Sequence, residues 1–187
     1  MITRTFAAKL FPMWTLLEGF ESLTPEELEA LLEAPLLITI LVGAADGTID
    51  DEESYWSERL MQVRTYAGKK ILVDFYREAA VDFLEKVAET LSKLPQNASE
   101  RGREIATRLE KLNPILAKLD VRLGAALYKS FLMLARETAH ASGGFLRIGA
   151  VSAAEHEWVD LKMLTPIFAP KTEDKEEESD DADEVED

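Results

Sequence analysis

An all-α bundle is the fold this sequence predicts, on three observations. Apolar residues recur at helical three-and-four spacing through most of the 187 residues, and no run of alternating β-branched residues bounded by turn signals competes with that pattern. Helix punctuation is frequent: Thr24-Pro25-Glu26-Glu27, Asn97 with Glu100, and Ser152 with Glu155 all have the spacing of an N-cap and the residue that answers it. With 47% hydrophobic residues the chain has the composition of a globular protein long enough to bury a core.

Taken in order, Phe6 to Phe20 forms a first helical segment bent near Pro12, and residues 1–22 read as an N-terminal helical extension. Thr24 caps the next helix, with Pro25 at its first position, and that helix is predicted to run to about Ala34. Pro35 then begins a second, buried helix ending at Asp46-Gly47, because Pro35 to Ala45 is uncharged throughout. Asp50 caps a helix carrying Trp56, Leu60 and Val63 on one face and ending near Gly68. Leu72, Phe75, Ala79, Phe83, Val87, Leu91 and Leu94 form one stripe, which predicts a single long helix over Lys70 to Leu94, stopped by Pro95.

Asn97 opens a more polar helix that buries Ile105, Leu109 and Leu112, and Asn113-Pro114 breaks the chain again. Ile115 to Ala141 reads as one long helix, or two with a bend near Asp120, ended by Gly143-Gly144. A last helix starts at Ser152 and ends at Pro166. From Lys171 onward eleven Asp or Glu stand against Lys171 and Lys175, giving −9 of the total −15, so residues 170–187 are expected to be a disordered acidic tail.

Composition narrows the chemistry. With no cysteine there are no thiolate metal sites, disulfides or cysteine nucleophiles, and neither a Gly-x-Ser-x-Gly elbow nor a phosphate-cradling glycine loop is present. No enzymatic reaction is predicted. The acidic balance gives no bulk attraction for nucleic acid. The longest uncharged run, Pro35 to Ala45, is about half of the ~20 residues needed to cross a bilayer. A cytoplasmic protein without membrane insertion is expected, reaching membranes only peripherally through partners.

The segment Asp46-Gly47-Thr48-Ile49-Asp50-Asp51-Glu52-Glu53 carries the densest chemistry. With Gly47 at the turn glycine of a calcium loop, Asp46 falls at ligand position 5, Thr48 at 7, Asp50 at 9 and Glu53 at 12. Positions 1 and 3 are Val42 and Ala44, which offer no side-chain oxygen, so a standard EF-hand cage is ruled out and further carboxylates must come from elsewhere. A purely structural explanation stands beside this one: Asp-Gly makes a turn, and Asp50 with Glu53 caps a helix. What capping leaves unexplained is the crowding of Asp46, Asp51 and Glu52 into the same turn, which a cation would relieve.

Leu36 to Gly47 can be laid over Leu132 to Gly143 at an offset of 96, pairing Ala44-Ala45-Asp46-Gly47 with His140-Ala141-Ser142-Gly143. After six inserted residues Glu53 pairs with Glu155 and Trp56 with Trp158. This predicts two helix-turn-helix units of one plan with a joint core, Trp56 and Trp158 serving as anchors. Glu137-Thr138-Ala139-His140 has the Glu-x-x-His spacing of di-iron bundles, but its counterparts in the first unit are Leu41 and Ala44. His140 is read as a helix-end histidine, with an outside role beside Glu155, and His156 as a solvated one.

Two copies of a buried helix, the first ending in Ala-Asp-Gly-x-Ile before an acidic helix start with a Glu, resemble the TerB-like helical domain of tellurite-resistance proteins. The resemblance covers roughly Leu31 to Phe168 and frames a domain over 23–169. It implies an all-helical fold whose loop carboxylates bind a divalent cation, here Asp46, Asp50 and Glu53 from the first loop and Glu155 from the second. Ser142, Ser152 and the insertion Gly144 to Ala150 depart from the pattern in the second copy. The implied function is non-catalytic: a stress-response or tellurite-resistance module that binds Ca, Mg or Mn ahead of Zn, uses no organic cofactor, and engages a protein partner. The competing expectation is a pure interaction scaffold in which the acidic loop only caps a helix.

Overall fold

A computed structural model describes residues 17–44, 70–142 and 158–170 of the chain. Among these residues the fold is a helical bundle with no strand, built from α1 (Pro25–Gly43), α2 (Lys70–Ala79), α3 (Phe83–Lys93), α4 (Ala98–Glu110), α5 (Asn113–Leu116) and α6 (Val121–Ser142). The segment predicted for Phe6 to Phe20 lies outside the described residues up to position 16. Leu17, Phe20 and Leu23 just beyond it are buried in the core.

Helix α1 begins as its sequence dictates. Thr24 is extended, its hydroxyl accepts the Glu27 amide, and the Glu27 carboxylate accepts the Thr24 amide at 3.0 Å. The predicted stop near Ala34 and restart at Pro35 are corrected: one helix passes through Pro35. Proline removes the N–H that would bond to the Leu31 carbonyl, a defect of about 3 kcal/mol in a helix interior. Every residue from Ala34 to Ala44 is buried, however, and Leu36, Leu37, Ile38, Ile40 and Leu41 at about 1.5–3 kcal/mol each outweigh it. The buried Thr39 hydroxyl donates back to the Pro35 carbonyl at 2.9 Å.

The stripe from Leu72 to Leu94 faces the core as expected, with Phe75, Ala79, Phe83, Val87 and Leu94 buried. The single long helix is corrected to two. Asp82 sits in the left-handed region at φ 54°, which Asp tolerates better than most residues, and the chain bends between α2 and α3 while Phe83 still points inward. Three-residue hydrogen bonds, Glu78 O to Val81 N and Ala80 O to Phe83 N, tighten the corner.

Asn97 caps α4 by accepting the Glu100 amide, and Ile105, Leu109 and Leu112 are buried as read. The chain breaks at Asn113-Pro114 as read, since α4 ends at Glu110 and Asn113-Pro114 opens the separate one-turn α5, and of the two readings of Ile115 to Ala141 the bend near Asp120 is the observed one. The Asp120 carboxylate accepts the Arg122 amide at 2.9 Å and so restarts the helix as α6.

The last predicted helix does not continue to Pro166: helical backbone stops at Trp158. Leu161 takes φ 44°, Leu161 and Leu164 are buried, and residues 165–170 carry no regular secondary structure. Asn113 enforces this path, donating from Nδ2 to the Met163 carbonyl and accepting the Thr165 amide on Oδ1.

Helix α1 is central, packing against α2, α3, α4 and above all α6. Two contacts fix the direction of the α1–α6 pair. Glu27, in the first turn of α1, is bonded to Lys118 just before α6, and Gly43 at the far end of α1 faces the Thr138 methyl in the last third of α6. The two helices therefore run the same way and finish at one end of the bundle. Phe75 joins the elements around them, stacking on Phe20 with centroids 5.7 Å apart, meeting Tyr76 edge-on and lying against Phe131. The buried Tyr76 hydroxyl hydrogen-bonds to Ser130 at 2.8 Å, tying α2 to α6.

Candidate functional site at the end of the central helices

Asp46, Asp50, Glu53 and Glu155, the predicted cation ligands, lie outside the described residues, as do Trp56 and His156. What the structure defines is the platform from which both segments depart. At the end of α1 the Ala44 carbonyl accepts a 2.6 Å bond from Arg101 Nη2, and the same guanidinium donates through Nη1 to the carbonyls of Pro95 and Gln96. Arg101 is 5% exposed, on α4. The last turn of α1 has no basic residue of its own, so Arg101 supplies from another helix the positive charge that a helix C-terminus favours.

The neighbouring residue meets the second segment. Gly102 is buried against Trp158, and a β-carbon placed on it would stand 3.0 Å from Trp158 Cζ2. Trp158 is half-buried and packs on the core, in agreement with its reading as an anchor. One turn of α4 thus touches Ala44, two residues before Asp46, and Trp158, three residues after Glu155. An exposed ion pair, Arg136 with Asp160 at 3.6 Å, adds a link between α6 and the chain after Trp158.

His140 is exposed in the last turn of α6, where a histidine complements the helix dipole. Its counterparts Leu41 and Ala44 are buried, so α1 brings no second Glu-x-x-His pair to face it. Among the described residues no three His, Asp or Glu side chains come together as a metal site, and no helix is long and apolar enough to cross a membrane.

Sequence reasoning missed Arg101 and Gly102, although a signal was there. Arg101 continues the Ile105–Leu109 stripe at four-residue spacing, which places it on the inward face of α4, and a glycine in a helix interior beside it asks for a packing reason. In comparisons with known proteins, no family model, curated protein or solved structure matches this chain.

Proposed function

We propose that this chain is a non-catalytic, TerB-like cytoplasmic module that binds a divalent cation, Ca, Mg or Mn, through Asp46, Asp50 and Glu53 with help from Glu155, and that engages a protein partner under stress. The observation that carries this reading is the convergence on α4: Arg101 holds Ala44 and Gly102 holds Trp158, so the flanks of the two acidic segments start from adjacent residues of one helical turn. The shared direction of α1 and α6 supports it further, because the two halves of the sequence repeat, Leu36–Gly43 and Leu132–Ala139, are both helical and end together. A cation held there would neutralise the clustered carboxylates and fix the angle at which the chain leaves α1.

Thermal unfolding with Ca, Mg, Mn or Zn against chelator tests it. At a free cation concentration of about 100 times Kd the folded state gains about 2.7 kcal/mol. At roughly 2–4 °C per kcal/mol for a chain of this size, the melting temperature rises by about 5–11 °C. Asp46→Asn with Glu53→Gln removes the ion-dependent difference, and Glu155→Gln reduces it. Equal melting with and without every cation, in wild type and variant alike, overturns cation binding and leaves the interaction scaffold as the function.

A further inference from the structure

We infer that the outward face of α6 is a docking seam for an α-helix of a partner protein, one that carries acidic and apolar side chains on a single face. The inference rests on the partner-binding half of the function proposed above and not on its cation.

Its basis is a register on α6 that the core does not explain. Leu123, Leu127, Phe131, Leu134 and Thr138 fill the buried side of the helix. On the other side Arg122, Ala126, Lys129, Met133, Arg136 and His140 recur at spacings of four, three, four, three and four. That alternation is how one helix presents a seam to another, and here it runs for about 27 Å at 1.5 Å per residue. Ala126 is half-buried and the other five are exposed, Met133 at 45% although it is a large apolar side chain.

The two positions of the seam differ in chemistry. One is cationic every time, at Arg122, Lys129 and Arg136, while the other holds Ala126, Met133 and His140. No carboxylate stands on the seam, in a chain with 36 acidic residues against 21 basic ones. At its edge Arg136 meets Asp160 at 3.6 Å, an exposed pair that water largely screens. Among the described residues neither Arg122 nor Lys129 is in an ion pair.

Charge and spacing together select the occupant. A helix laid along the seam sets Glu or Asp opposite the three cations and apolar side chains opposite Ala126 and Met133, where a small residue admits close approach and a methionine adapts its shape. A phosphate strand or an anionic lipid surface answers the cations but brings no apolar row to Met133, and the net charge of −15 repels both. A second α6 would add three more cations to the three already there.

The test titrates the full chain against a labelled peptide of about three heptads, held helical by side-chain lactams, with Glu at one seam position and Leu at the other. Four comparators are used: the same peptide with Lys for Glu, a scrambled peptide whose Glu and Leu no longer share a face, a single-stranded DNA oligomer, and phosphatidylserine vesicles. The Glu peptide should bind about tenfold tighter than any of them, and less tightly as salt rises. Arg122→Glu with Lys129→Glu should reverse the preference toward the Lys peptide, which also shows that the variant is folded, and Met133→Ala should weaken the Glu peptide severalfold. Lys86→Glu with Arg103→Glu makes the same change in net charge at exposed positions of α3 and α4 and should leave binding as it is. No saturable binding of the Glu peptide, equal binding of the scrambled one, or tighter binding of DNA or vesicles would each overturn the inference. So would an equal loss in the control pair, or a homodimer in ultracentrifugation that Arg122→Glu with Lys129→Glu dissociates. Chelator and Asp46→Asn with Glu53→Gln leave peptide binding unchanged, and the seam variants keep the ion-dependent melting, so the failure of either proposal is visible without the other.

Discussion

Gly102→Ala provides the sharpest check on the platform at the end of α1, because two effects of known size oppose each other there. In a helix interior alanine is favoured over glycine by about 0.8–1.0 kcal/mol. The added methyl would stand 3.0, 3.2 and 3.4 Å from Trp158 Cζ2, Cε2 and Nε1, inside the 3.5–4.0 Å at which carbon contacts are favourable. Overpacking of that kind costs about 1–3 kcal/mol. The net expectation is a loss of about 1 kcal/mol in the wild-type background, or roughly 2–4 °C in melting temperature. With Trp158→Leu already present the clash is gone, and the same substitution should stabilise by about 0.8–1.0 kcal/mol. The sign therefore reverses, with a coupling of about 1–3 kcal/mol across the double-mutant cycle. Urea unfolding followed by far-ultraviolet circular dichroism reads all four proteins without relying on the lost tryptophan. If Gly102→Ala stabilises both backgrounds equally, Trp158 does not rest on α4 and the convergence argument fails.

Further expectations concern the bonds that hold the helices in register. Arg101→Met keeps the aliphatic stem but leaves the Ala44 carbonyl buried without its donor, and unfolding should ease by about 2–4 kcal/mol, with Arg101→Lys recovering part of the loss in the same urea titration. Tyr76→Phe should cost about 1–2 kcal/mol, and a cycle with Ser130→Ala should show coupling near 1 kcal/mol if the 2.8 Å bond joins α2 to α6. The Glu27 carboxyl is held below its ordinary range, first by the hydrogen bond from Lys118 and then by the Thr24 amide. Because the folded value is the lower one, this contribution is present above the unfolded carboxyl range near ~4.3 and is lost as pH falls through the depressed value. Urea midpoints from pH 6 to 2 should fall less steeply for Glu27→Gln, and the difference should shrink in high salt.

The sequence states local rules more plainly than it states how helices end up beside one another. Thr24 with Glu27 and Asn97 with Glu100 were readable because a cap is satisfied within three residues. The core face of Lys70 to Leu94 was readable too, since Phe75, Ala79, Phe83 and Val87 keep four-residue spacing across the bend, and that same regularity hid the bend at Asp82. Pro35 misled because its local defect is outweighed by burial that comes from other helices. The path after Trp158 depended on Asn113, some fifty residues earlier, which no local pattern could reveal. For the candidate site, sequence picked carboxylates by type and spacing, but the residues that gather their flanks, Arg101 and Gly102, belong to a different helix and were legible only through their register with Ile105 and Leu109.

The side-by-side, same-direction pairing of α1 and α6 has a consequence for biosynthesis. Parallel neighbours cannot be joined by a short turn, and here about 100 residues separate the end of one from the end of the other. At roughly 5–20 residues per second a ribosome takes on the order of 5–20 s to deliver the second after the first. Until α6 emerges, the side of the uncharged stretch from Ala34 to Ala44 that it covers stays open in the nascent chain, although α2, α3 and α4 arrive sooner and cover other sides. The yield of correctly assembled protein is thus set by what shelters this stretch until its companion emerges, and a holding chaperone should raise it more than a slower growth temperature does.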